Sequence, residues 1–442
     1  IDRAMLVEHP RNQYGKTVRN AAIRGSIYDR NGNVLAKTEG INRIYPLGEA
    51  ASNLLGYTSK ILGSAGVENW FDAHLIGDVG TLKFKNFWGR LSGRPNLGYD
   101  LQLTIDGELQ RLGYRLLANR KGAIVGIDPN NGEVLALISS PSFDIKDLEK
   151  NWSIFIEDPN RPLYNRALLG AYPPGSIFKL VVGAAALDAN LANSKREFFC
   201  PGFIEIEGRR LNCSKAHGNL SISDGIALSC NIVFAILGLE LGEEKLKEMA
   251  KAFVLKENFS EQFSRNGFNF GDERMSMNAL LEASIGQGQV LTSPFQMAIV
   301  ISAIGNGGQL VEPFILRGKG PSGEKITLEN KIALKRQVMS RNTAKLLKKG
   351  MADTVDWGTG QQARLDGVSI GGKTGSAENP HGRTHAWFVA LAPLEEPKIA
   401  LAIIIENAGT GGAHGAPIAK EMVRYYLNSL EKTEESFKGD GI

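Results

Sequence analysis

The sequence predicts an α+β fold: an antiparallel sheet covered by helices, preceded by a smaller β-containing segment. Three observations lead there. Two apolar hairpins lie far apart in the chain, at residues 123–138 and 386–405. The stretch between them carries long apolar runs of helical length, whereas the first hundred residues are polar and glycine-rich and show turn signals in place of long apolar periodicity. Strands at both ends of a mainly helical segment fit one sheet joined from both termini, a layered arrangement in which every apolar face finds a partner.

Each element has its own local reason. Asn31-Gly32 between apolar residues is a hairpin signal. Residues 83–90 interleave bases with aromatics, and a packed loop of the N-terminal segment is the plain reading, a partner or membrane contact the sharper one. Residues 101–105 alternate as a strand, and Asp106 then caps a helix to about residue 119. Asp128-Pro129-Asn130-Asn131-Gly132 turns the first apolar hairpin. Helices are predicted from Ser176 to Ala189, as a pair around 223–239, and over 294–304 with Ser293 as cap. A last helix is expected from about Pro417 to Leu430, with proline in its first turn, and a charged tail beyond it that frays. The resulting division is an N-terminal pedestal over 1–100, a large domain over 101–432 and a charged tail over 433–442.

Composition narrows the function. The chain has 442 residues, 43% hydrophobic and 22% charged, enough for one large core and a smaller domain. Its longest apolar runs fall short of the ~18 residues a membrane span needs. The chain begins at Ile1 and not at methionine, so a removed leader or anchor is expected. A formal charge of +4 excludes a polybasic nucleic-acid binder.

The chemistry gathers at three places. Pro173-Pro174-Gly175 forbids helix up to Gly175, and an almost wholly apolar run follows, so Ser176 opens a buried helix with Lys179 on the same face. A desolvated lysine has a lowered pKa, and its neutral amine accepts a serine proton. The plain alternative is a capping serine and a snorkelling lysine. The second Ser-x-x-Lys, Ser322 to Lys325, sits in a polar turn and lacks this setting. Ser229-Cys230-Asn231 lies between two helical runs, where a loop aims Ser229 and Asn231 at a cleft and turns Cys230 inward. Ser-x-Asn recurs at 264, 276 and 340, so its meaning comes from its company. Lys373-Thr374-Gly375-Ser376 follows strand-like residues 368–372; its glycines admit a ligand backbone, and the lysine and hydroxyls suit a carboxylate and an amide.

Taken together, Ser176-x-x-Lys179, Ser229-x-Asn231 and Lys373-Thr374-Gly375 resemble, in order and separation, the three signatures of the penicillin-recognising serine acyltransferases. Residues Arg24 to Gly32 resemble the N-terminal signature of class B penicillin-binding proteins; 103–106, 385–388 and 416–418 resemble further segments of that family. The resemblance implies a transpeptidase domain of the penicillin-binding-protein and serine β-lactamase type. It implies a D,D-transpeptidase that cross-links peptidoglycan stem peptides outside the cytoplasmic membrane. By that resemblance Ser176 is the nucleophile and Lys179 its base. Ser229, in a set with Lys179 and Lys373, returns a proton to the leaving amine, and Asn231 holds the substrate amide. Backbone N–H groups of Ser176 and Ser376 meet the oxyanion, while Thr374 and Ser376 contact the terminal carboxylate beside Gly375. β-Lactams acylate the same serine. No cofactor is implied. The family often has threonine where Ser376 stands, and many relatives insert a head segment between Ala36 and Arg43 that is short here, so the pedestal is reduced. Glycan polymerisation is expected from a membrane-embedded glycosyltransferase partner, and the protein is placed at the extracytoplasmic membrane face. A serine β-lactamase or a membrane β-lactam sensor is the competing reading; the former needs an extra glutamate base, for which no motif is found.

Three cysteines remain: Cys200, Cys213 and Cys230. Cys200 and Cys213 bracket a short segment and suit one disulfide; with His217 they admit a zinc reading that lacks a fourth ligand, so a disulfide or free thiols rank above a metal.

Overall fold

The structure, a computed structural model, describes residues 22–439 except 93, 256–262, 264–266, 272–273, 330–333 and 380–381, with backbone alone at 90 and 433–439. Residues 1–21 of the expected pedestal and 440–442 of the expected tail lie outside it. Two compact units emerge, and neither is continuous in sequence. The division at residue 100 does not coincide with them: segments 142–163 and 314–332 pack with the N-terminal part.

The first unit is built on a six-stranded sheet, in the order Thr327–Leu328, Leu316–Pro321, Tyr99–Leu103, Ile27–Tyr28, Val34–Glu39, Asn42–Ile44. Asn31-Gly32 forms the predicted turn, and Asp29 fixes it by accepting from the N–H groups of Asn31 and Asn33 at 2.9 and 2.8 Å. Beside the sheet, Arg24 and Arg43 converge on buried Glu68: Nε to carboxylate distances are 2.5 and 2.8 Å, and Arg24 Nη1 also reaches Asp72 Oδ1 at 2.6 Å. Burial works against the charge of Arg24, but the two carboxylates outweigh it and hold the guanidinium above its ordinary pKa. The expected loop at 83–90 is instead part of a helix, Gly80–Leu91. Its inner side is anchored by Leu82 and by buried Asn86, whose amide donates to Gly77 O and Leu97 O and accepts from Leu97 N.

The second unit holds the predicted sheet. Its strands are β1 Gly122–Ile127, β2 Val134–Ser140, β3 Gly371–Ala377, β4 His385–Ala392 and β5 Ile399–Ile405, arranged β2-β1-β5-β4-β3 and antiparallel throughout. The two hairpins therefore meet along β1 and β5, as the sequence implied. Ile124, Phe388, Leu401 and Ile403 line one face of the sheet and pack with Ala419, Met422 and Val423 of the C-terminal helix. On the other face lies the Pro294–Gly305 helix, every residue of which is buried and which Ser293 caps through Gln296 N. With both faces covered, the strands read as continuous apolar runs and lack alternation.

Three local expectations are corrected. The helix predicted from Ser176 starts as a 3-10 turn, Gly175–Phe178, and becomes α-helical over Lys179–Asp188. Lys-Thr-Gly does not follow a strand; it lies inside β3. The C-terminal helix runs over Gly411–Gly439 with Pro417 in its interior, so it begins earlier than expected and its backbone does not fray before 439. Packing explains the early start: a Cβ on Gly411 would sit 1.7 Å from Trp387 O, so this first turn rests backbone to backbone on β4. No helix among the described residues is long and apolar enough to cross a membrane.

Candidate active site

Three segments of the second unit supply the site, and each is positioned by backbone geometry. Ser176 sits in the 3-10 turn, half-buried, while Lys179 is wholly buried as the first residue of its helix. Trp387 of β4 ties the preceding turn to the sheet by donating its indole N–H to Pro173 O at 2.9 Å. Ser229 closes the turn after the Ile222–Ala227 helix with φ +56°, a left-handed conformation that costs a non-glycine residue and is found where a site demands it. Asn231 then opens the Asn231–Ala252 helix, with Cys230 buried between the two polar residues as predicted. Lys373 and Thr374 are buried on β3, and Ser376 is half-buried near its end.

All three segments converge. Lys179 Nζ donates to Ser229 O at 2.7 Å and to Asn231 Oδ1 at 2.7 Å, with Ser229 Oγ at 3.4 Å. Lys373 Nζ donates to Ser229 Oγ at 2.9 Å and to Thr374 O at 3.0 Å. Thr374 Oγ1 shares a 2.6 Å hydrogen bond with Thr359 Oγ1, and Asn231 Nδ2 donates to Asn212 O at 2.9 Å. One expected contact differs: among the described residues no hydrogen bond joins Ser176 to Lys179. The long lysine side chain, shared in turn-to-helix position with Ser176, reaches instead across to the Ser229 loop.

The electrostatics follow from burial. Lys179 is brought down to about 8, chiefly by burial, with Cys230 and Cys213 opposing. Lys373 is lowered well below the usual lysine value by burial and then by the positive charge of Lys179. Among the described residues neither lysine has a carboxylate as hydrogen-bond or ion-pair partner. Two cations that share one hydroxyl and lack an acid are a proton-handling arrangement.

Sequence reading missed two groups. Gln287 presents its amide to the free edge of β3: Nε2 donates to Ser376 O, and Oε1 accepts from Glu378 N, each at 3.2 Å. A strand residue directs its N–H and C=O to the same side, so the Ser376 N–H lies on that open edge too, facing the 3-10 turn. Gly286 makes the approach possible, since a Cβ there would stand 2.0 Å from Gly175 O. The signal was present as Gly286-Gln287-Gly288, but nothing local tied it to β3.

Cys230 is the other. It brings a fourth donor to Cys200, Cys213 and His217; the four donor atoms lie within 4.8 Å of one another, and all three thiols are free. Of the two readings ranked above a metal, the structure has the free thiols and not the Cys200–Cys213 disulfide, and the missing fourth ligand is corrected: it comes from the residue inside Ser-x-Asn. His217 Nδ1 is 3.4 Å from Cys200 Sγ and 3.5 Å from Cys213 Sγ, and Cys213 Sγ is 3.8 Å from Cys230 Sγ. Tetrahedral zinc with Zn–S of about 2.3 Å and Zn–N of about 2.0 Å spaces its donors by about 3.5–3.8 Å. The donor set and these three spacings fit that ion.

Comparison with known proteins gives the family of the chain. Residues 122–424 match the family model of the penicillin binding protein transpeptidase domain, and 24–101 match that of the penicillin binding protein A dimerisation domain. The chain is 33% identical over 428 residues to stage V sporulation protein D of Bacillus subtilis, with 88% of this chain covered but 64% of the relative. It is 31% identical to peptidoglycan D,D-transpeptidase PbpA of Mycolicibacterium smegmatis, covering 86% of this chain and 83% of the relative. The ceftriaxone acyl-enzyme structure of penicillin-binding protein A from M. tuberculosis superposes with TM-score 0.83 at 29% identity, over 92% of this chain and 98% of that one. The penicillin G acyl-enzyme structure of the same protein gives 0.81 at 29% identity, over 92% and 100%.

Proposed function

The chain belongs to the penicillin-binding protein transpeptidase family, and from that premise we propose that it is a serine D,D-transpeptidase that cross-links peptidoglycan stem peptides and is acylated by β-lactams. The observation that carries the reading is the convergence of Lys179 and Lys373, both buried and without an acid partner among the described residues, on Ser229, with Ser176 in the turn that leads into the Lys179 helix. A neutral lysine amine keeps two N–H donors and one lone pair. For Lys179 the two donors are matched by Ser229 O and Asn231 Oδ1, which frees the lone pair for the Ser176 proton. Ser176 Oγ then attacks the D-Ala-D-Ala carbonyl. The oxyanion meets the backbone N–H groups of Ser176 and Ser376. Ser229, whose oxygen accepts from Lys373, has its own proton to give to the leaving amine. Thr374 and Ser376 hold the substrate carboxylate, Gly375 leaves its backbone room, and Asn231 holds the amide. The amine of a second stem peptide resolves the acyl-enzyme.

A zinc ion, if held by Cys200, Cys213, His217 and Cys230, has four protein ligands and no open position, so it supplies cross-linking and no reaction chemistry. It would pin Cys230 between Ser229 and Asn231, and Cys213 next to Asn212, which accepts from Asn231. The reading places the protein on the outer face of the bacterial membrane, working on strands polymerised by a membrane-embedded glycosyltransferase.

Labelled penicillin tests the proposal. The adduct should map to Ser176 and persist for minutes to hours after a chase, because among the described residues no carboxylate base stands in the Ser176, Lys179 and Ser229 contacts to activate water. Rapid loss of the adduct with steady hydrolysis would identify a β-lactamase instead.

A further inference from the structure

The Gly80–Leu91 helix of the first unit carries a surface that transpeptidation does not use. Phe84, Phe87, Trp88 and Leu91 are 72, 49, 66 and 70% exposed. Their spacing, i, i+3, i+4 and i+7, places all four on one helical face, opposite the Leu82 and Asn86 side that anchors the helix. This is far more apolar exposure than scattered surface side chains require an explanation for.

The charges say what covers it. By helical position, Lys83 falls on one shoulder of the apolar stripe and Lys85 on the other, and the helix contains no acid. Lys83 lies 3.4 Å from Asp78 just before the helix; Lys85 and Arg94 are exposed, and among the described residues neither has an acidic partner. A second copy docked face to face would bring these like charges together around the seam. An anionic lipid surface satisfies both parts, taking aromatic side chains at the headgroup boundary and bases among the phosphates. We propose that this helix docks in the plane of an anionic membrane surface, seating Phe84, Phe87, Trp88 and Leu91 at the headgroup boundary with Lys85 beside lipid phosphate.

The test is flotation of the whole chain with phosphatidylcholine vesicles, with and without phosphatidylglycerol. Binding should appear with phosphatidylglycerol and weaken as salt is added. Lys85→Glu should weaken it by roughly 25-fold, since each charge near such a surface changes affinity about fivefold. Trp88→Phe should keep binding yet lose the blue shift of tryptophan emission that accompanies it. Phe84→Ser with Trp88→Ser should abolish binding while circular dichroism and the melting transition are kept. Should that double variant unfold, the exposed Lys85→Glu and Trp88→Phe variants still decide. No flotation with phosphatidylglycerol, equal binding to neutral vesicles that Lys85→Glu leaves unchanged, or a dimer in sedimentation that Phe84→Ser dissolves would each overturn the proposal.

Discussion

Each unit buries a pair of basic side chains, and the two pairs are treated in opposite ways. Arg24 and Arg43 are locked to Glu68, with Asp72 as a further partner, so their charges are matched and fixed. Lys179 and Lys373 are buried more completely, yet among the described residues their hydrogen-bond partners are carbonyl, amide and hydroxyl oxygens and no carboxylate. The first pair is held charged; the second is pushed toward neutrality. Burial alone does not decide whether a basic side chain is held charged or pushed toward neutrality. The partner does, because a well-placed carboxylate offsets desolvation far more than a hydroxyl or carbonyl does.

The largest effect that would break this contrast is at Lys179. Lys179→Arg keeps the charge but cannot lose its proton, so penicillin acylation should fall by about 10²–10⁴-fold with the melting transition intact; normal acylation would remove Lys179 as the base. Next is Glu68→Ala, which strands two buried guanidinium groups and should cost about 3–5 kcal/mol in urea unfolding. A loss below ~1 kcal/mol would make the network no different from a surface pair. The pH profile sharpens the contrast further. Since the Lys179 amine accepts a proton only once it has lost its own, acylation should climb about tenfold per pH unit below about 8 and level off above it. A profile flat from pH 6 to 9 would speak against the lysine pair as the proton-handling group.

Two smaller effects concern what holds the lysine site in place. Metal analysis should find one zinc per chain, and chelation should slow acylation while exposing three reactive thiols; a metal-free chain with one free thiol would restore the disulfide reading. Gln287→Ala removes two neutral hydrogen bonds from the β3 edge, worth about 0.5–1.5 kcal/mol each. It should lower acylation several-fold, through weaker binding, without moving its pH midpoint.

Much of the fold was legible because hairpin and helix signals are local. The residues at 123–138 and 386–405 had to form strands, and their apolar runs had to be covered on both faces. Boundaries were less so: Pro417 reads as a helix start by its own chemistry, and only the close seat of Gly411 on Trp387 O shows why the helix begins earlier. At residues 83–90 the i, i+3, i+4 spacing of Phe84, Phe87 and Trp88 was a helical signal, and reading a loop there passed over it because an apolar face turned outward has no partner in the sequence.

At the site, the sequence by itself determined the residue types and their order: a serine and lysine behind a helix-breaking turn, Ser229 and Asn231 between two helices, and Lys-Thr-Gly among glycines. Those are properties of short segments, set by dihedral preference and spacing. Which atoms meet was decided only by tertiary structure. Lys179 turning to Ser229 O and Asn231 Oδ1, Gln287 closing the edge of β3, and Cys230 completing a donor set begun at Cys200 are all contacts between sequence-distant segments. Hydrogen bonds and metal-like donor sets depend on separations of a few ångströms in space, and chain spacing does not encode those until the sheet and its covering helices have fixed where each segment lies.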